Sequence, residues 1–161
     1  MSRAALSRRP RGRRGEHGAS VVEFALVAPV LFFFLCGIVE MCVLFWVNLT
    51  MQHVTREAAR YAVTGRSDLD PDAARPQRHV AVLERIRASS MGLYERLRPV
   101  VNGVAYGRNA QDYASLFGEP GQVFVLKIDC AWPVMTPLLK PFFQDGTYRF
   151  SVATTMRNEA F

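Results

Sequence analysis

The chain has 161 residues, half of them hydrophobic, and a formal net charge of +6. That length holds one modest domain beside a membrane segment. Arg3, Arg8, Arg9, Arg11, Arg13 and Arg14 stand against Glu16 alone before Ala19, so nearly all of the excess charge sits in a short tail. A basic globular surface is therefore excluded. The tail also lacks the aromatic platform, zinc ligands or recognition helix that a nucleic-acid-binding arm would bring with it.

After the tail comes an apolar run, Phe24–Val47 (FALVAPVLFFFLCGIVEMCVLFWV). As a helix its roughly 24 residues cover about 36 Å, enough for a hydrocarbon core of about 30 Å. Positive charge abutting such a run predicts that Arg8, Arg9, Arg11, Arg13 and Arg14 stay cytosolic and that the rest of the chain crosses. A secretory signal has a shorter core followed by small residues, whereas this run closes on Leu44-Phe45-Trp46-Val47, with Trp46 suited to the interface. Pro29 lies in the first third of the helix, where membrane helices tolerate a kink.

Two carboxylates mark the run. Glu40 lies within it, and a charge at that depth is costly unless paired or protonated. It is read either as a protonated or snorkelling group or as a helix–helix contact. Glu23 takes its meaning from its surroundings, Gly18-Ala19-Ser20-Val21-Val22-Glu23-Phe24-Ala25, preceded by the arginines. A basic leader, a glycine, and a glutamate five positions later opening an apolar helix resemble a type IV pilin-like leader. Within that group the string is similar to the TadE-like family. The resemblance extends through Arg56-Glu57-Ala58-Ala59-Arg60-Tyr61-Ala62, with an echo at Met156-Arg157-Asn158-Glu159.

The resemblance implies a minor pilin-like protein of the Flp, or tight adherence, pilus machinery. It implies a prepilin peptidase cutting between Gly18 and Ala19, other pilin-like subunits and the Tad secretion machinery as partners, and a bacterial cytoplasmic membrane as location. A glycine before the cut suits an extended backbone entering a narrow protease site. The new ammonium on Ala19 then needs a counter-charge in the helix bundle, which Glu23 of a neighbouring subunit can supply. Typical pilins begin their mature chain with a bulky aromatic; this chain would begin with Ala19.

Beyond the membrane the helix is expected to continue over residues 48–64 on a stripe of Leu49, Val54, Ala58, Tyr61 and Ala62, stopping at Gly65. Ser67–Ala74 (SDLDPDAA) reads as a capping and solvated loop, since it lacks the glycine and terminal glutamate of a calcium loop. A second helix is predicted from Pro76 to about Leu97, with Val80, Leu83, Ile86, Leu93 and Leu97 facing the core. Period-two alternation then predicts strands at Gln122–Trp132 and Thr147–Arg157, the second after an Asp145-Gly146 turn, with a weaker strand at Val100–Tyr106.

The expected fold class is therefore α+β and pilin-like: a long transmembrane helix extended outside the membrane, a second helix and a small antiparallel sheet. Residues 1–18 form the leader, 19–65 the helix, and 66–161 the external domain. Cys130 is expected either as a buried thiol or as an intermolecular bridge. No nucleophile elbow, phosphate loop, or metal-ligand spacing around His17, His53 and His79 is present, so neither enzyme activity nor a cofactor is expected. The alternative is an unprocessed, membrane-tethered binding or sensory domain, which would keep the Met1–Gly18 tail.

Overall fold

The computed structural model of the chain describes residues 16–102, 104–105 and 116–160. Two compact units result, Met1–Gly37 and Ile38–Phe161. Helix α1, Glu16–Val63, passes through Pro29 without interruption.

In the first unit no described residue is buried, and Phe24, Leu26, Phe32 and Phe34 lie open. A helix that is apolar all round needs apolar surroundings on every side. In the second unit α1 becomes one-sided. Glu40, Leu44, Val47, Met51, Val54, Ala58 and Ala62 are buried at steps of three or four residues, the spacing of a core-facing stripe. Leu44 and Val47, the end of the run expected in lipid, belong to this core. The part of α1 that no protein covers accordingly ends at Val39. Leu49, expected on the stripe, is 63% exposed, because it lies about 200° around the helix from Val47 and Met51 in turn. Gly65 ends the helix as expected, with φ +67° and its N–H donating to the Ala62 carbonyl at 3.1 Å.

The aspartate loop folds on itself. Asp70 accepts from the N–H groups of Asp72 (2.9 Å) and Gln77 (2.6 Å), and Asp72 accepts from Ala74 (3.1 Å). The predicted second helix is two: α2, Arg78–Ser89, and α3, Tyr94–Leu97. Met91 and Gly92 carry φ of +53° and +81°, and the Ser90 hydroxyl donates to the Arg87 carbonyl (2.7 Å), closing the first segment. Pro76 precedes the cap residue Gln77 instead of occupying the first helical position. Of the expected core residues, Leu83, Ile86, Leu93 and Leu97 are buried, and Val80 is only partly so.

Strands β1 (Val100–Val101), β2 (Val104–Ala105), β3 (Val123–Pro133) and β4 (Thr147–Arg157) form one antiparallel sheet ordered β2-β1-β3-β4. In β3 the five residues predicted to face inward, Phe124, Leu126, Ile128, Cys130 and Trp132, are all buried. Strand β4 pairs along its whole length, with Ile128 opposite Val152, and presents a half-buried face of Tyr148, Phe150, Val152 and Met156. Asp145 and Gly146, both at positive φ, make the turn before it.

A polar clamp ties the far end of the domain together. The Arg78 guanidinium donates to the Ala62 carbonyl, to the Gly118 carbonyl (2.9 Å) and to Asn158 Oδ1 (2.6 Å). The Asn158 amide donates in turn to the carbonyls of Phe117 (2.7 Å) and Glu119 (2.9 Å). One arginine and one asparagine thus join the end of α1, the start of α2, the approach to β3 and the chain's last residues. Asn158→Ala removes three of these bonds and leaves a half-buried cation short of an acceptor. An expected loss of about 2–4 kcal/mol would show as a lower unfolding midpoint of the full chain in detergent, and an unchanged midpoint would refute the clamp.

Cys130 is 4% exposed. Burial, reinforced by the neighbouring Asp129 charge, pushes its thiol up to about 12. Only about one thiol in ten thousand is then ionised at pH 8. Peptide mapping after iodoacetamide treatment should find Cys130 unmodified in the folded protein and alkylated after denaturation, and the intermolecular bridge should be absent on non-reducing gels.

Candidate functional site: the carboxylates of the long helix

Ala19 and Glu23 are one turn apart on the same face of α1, the i,i+4 relation. Glu23 is exposed. Gly18 lies inside the same helix, and a Cβ built there meets nothing within 4 Å. Glycine in a helix interior costs roughly 1 kcal/mol relative to alanine, and no packing within the fold requires it here. The same openness holds at Gly37, inside the apolar run, where small residues suit close helix–helix approach. The orientation residues Arg8, Arg9, Arg11, Arg13 and Arg14 lie outside the described residues.

Glu40 is in a different setting. It is 3% exposed, and its carboxylate takes three donors from one segment of the domain. Met135 N–H donates to Oε1 at 3.0 Å, while Thr136 N–H (2.9 Å) and the Thr136 hydroxyl (2.7 Å) donate to Oε2. Charge-assisted bonds of this kind are among the stronger ones in proteins. The partner is therefore the chain's own domain, a possibility beyond the two readings the sequence offered. A sequence signal for it did exist: Glu40 precedes Leu44, Val47, Met51 and Val54 at steps of four, three, four and three, which puts it on the core-facing stripe.

The Arg56–Ala62 segment divides its work. Ala58, Ala59 and Ala62 are fully buried, so close packing is what their small side chains allow. Glu57 on α1 pairs with Arg85 on α2. Arg56, Arg60, Arg66 and Arg85 line an open cleft of about 850 Å³ beside His53 and Glu159. Among the described residues, no three histidine, cysteine or carboxylate side chains gather where they could hold a metal ion.

The family model described as TadE-like protein matches residues 18–60. The N-terminal segment of this chain is thus similar to that family over those residues. No curated protein and no solved structure matches the chain. The TadE-like stretch opens on Gly18 and takes in Glu23, Glu40 and Arg56-Glu57-Ala58-Ala59-Arg60. Among the described residues α1 is also the one helix long and apolar enough to cross a membrane, which suggests single-pass anchoring.

Glu40→Ala should destabilise the folded domain by about 2–4 kcal/mol, since it leaves two amides and a hydroxyl without their acceptor. Thr136→Val should cost about 1 kcal/mol, and Glu40→Gln should fall between the two. Unfolding midpoints of the full chain in detergent would rank them; three midpoints equal to wild type would show that the carboxylate does not hold the loop.

Proposed function

We propose that this chain is a non-catalytic, membrane-anchored, pilin-like component of Flp/Tad pilus assembly, matured by a prepilin peptidase between Gly18 and Ala19. The observation that carries the reading is the TadE-like match, whose first residue is Gly18. The arginine-rich leader and the apolar helix on either side of it agree with that reading.

Cleavage requires a stretch of extended backbone in the protease, and Gly18 makes such a stretch easy to form where the folded helix has no use for a glycine. After the cut, Ala19 carries an ammonium at the head of an apolar helix. Side-by-side packing of such helices places that charge in a low-dielectric bundle, where it needs a carboxylate. Glu23 of a neighbouring subunit is the group we assign to it. Glu40 contributes to assembly indirectly, by fixing the external domain to its own helix. The bilayer is the inner membrane, with the leader cytosolic and the domain beyond it.

Intact-mass measurement of the membrane-extracted protein should give a chain beginning at Ala19, while Gly18→Val should retain the leader and run larger on an immunoblot. Glu23→Ala should be cleaved normally yet fail to enter complexes with other pilin-like subunits. A wild-type mass that includes Met1–Gly18 would instead favour the unprocessed tethered domain.

A further inference from the structure

Between β3 and β4 runs a segment to which the sequence patterns assign no element, Val134–Phe143 (VMTPLLKPFF). It carries one charge, Lys140, and most of its apolar side chains face outward. Met135 is 54% exposed, Leu138 64% and Phe142 74%. An apolar surface of this kind on a small domain calls for a partner.

Its position limits what that partner is. Glu40 grips Met135 and Thr136, so the segment is fixed level with the first buried residue of α1. The helix residues around that point, Ile38, Val39 and Met41, are themselves apolar and open. They continue the apolar run that begins at Phe24. The exposed loop and the open helix turn thus meet at Glu40, within the second unit.

The backbone is suited to the same surroundings. Met135, Thr136, Leu139, Phe142 and Phe143 donate their N–H groups within the fold, and Pro137 and Pro141 have none to donate. Most of the loop's amides are thus paired or absent, the Leu138 and Lys140 N–H groups being the exceptions, which lowers the polar cost of approaching the interface. Lys140 can extend toward phosphate while its methylenes lie along the apolar surface.

We infer that Met135–Phe142 is a foot that rests on the lipid bilayer, inserting Leu138 and Phe142 into the interface where α1 leaves the membrane. The inference depends on the single-span anchoring of α1, and its test separates the two. The full-length chain, carrying Cys36→Ala and Cys42→Ala, would receive one environment-sensitive fluorophore (NBD) at a time through Phe142→Cys, Leu138→Cys, Phe34→Cys or Met91→Cys. Each protein would be reconstituted in phosphatidylcholine–phosphatidylglycerol vesicles with and without a lipid bearing a nitroxide near its carbonyl.

Labels at Phe142 and Leu138 should emit blue-shifted light and lose most of it to the nitroxide lipid, whereas the label at Met91, on the α2–α3 turn, should remain water-like and unquenched. A label at Phe34 in lipid with water-like labels at Phe142 and Leu138 would overturn the foot and leave the span intact. Blue-shifted but unquenched labels at the two loop positions would mean that protein, such as a second copy, covers them, and would overturn it too. A water-like label at Phe34 would remove the span, and the foot with it.

Discussion

A carboxylate cannot lie in an apolar stripe without donors, and the way Glu40 meets that constraint organises much of the second unit. Removing it from water unaided would cost several kcal/mol. Two backbone amides and a hydroxyl from Met135 and Thr136 meet it instead. The consequence reaches beyond one residue. The segment that supplies the donors connects β3 to β4, so holding it also fixes where the long hairpin begins and ends against the helix. Glu40 thus gives the end of the domain a defined attachment at a place where apolar contacts alone would leave it free to slide.

The opposite end of the stripe uses the same kind of solution with reversed charge. Arg78 and Asn158 collect carbonyls that the end of α1 and the loops around β3 leave without partners. Between the two polar clamps the core is mainly apolar, with Leu44, Val47, Met51 and Val54 in one cluster with the inward face of β3 and the buried side of α2, and the Glu57–Arg85 pair at its edge. The small residues Ala58, Ala59 and Ala62 then let the elements come close. Hydrophobic burial supplies most of the stability in such an arrangement, and the clamps set the register that burial, being non-directional, does not set.

The parts legible in the sequence were those governed by periodicity. The alternation of Phe124, Leu126, Ile128, Cys130 and Trp132 assigned the inward face of β3 residue by residue, since a one-residue slip would have reversed every side chain. Gly65 and Asp145-Gly146 marked real stops because their conformations disfavour most other residues. Less legible was what depends on long-range partners. The break after Ser89 needed Met91 in a left-handed conformation that its side chain does not advertise. Leu49 shares its apolar character with the true stripe and differs only in angle. For the site, the pairing of Glu40 with Thr136 spans 96 positions, and no local pattern announces its partner. Its phase on the helix did carry half of the answer.

That phase also separates Glu40 from Glu23, two of the three carboxylates in residues 18–60. Glu40 has its donors within the chain, so a neighbouring subunit would have to displace bonds already made in order to use it. Glu23 is exposed on a helix whose surroundings are apolar side chains, and no partner for its carboxylate occurs among the described residues. An intramolecular bond satisfied at no entropic cost of association outcompetes an intermolecular one of the same kind. Of these two, Glu23 is the one that fits the proposed contact with another chain. It lies on the face that Ala19 shares, where a newly freed ammonium would create the complementary need.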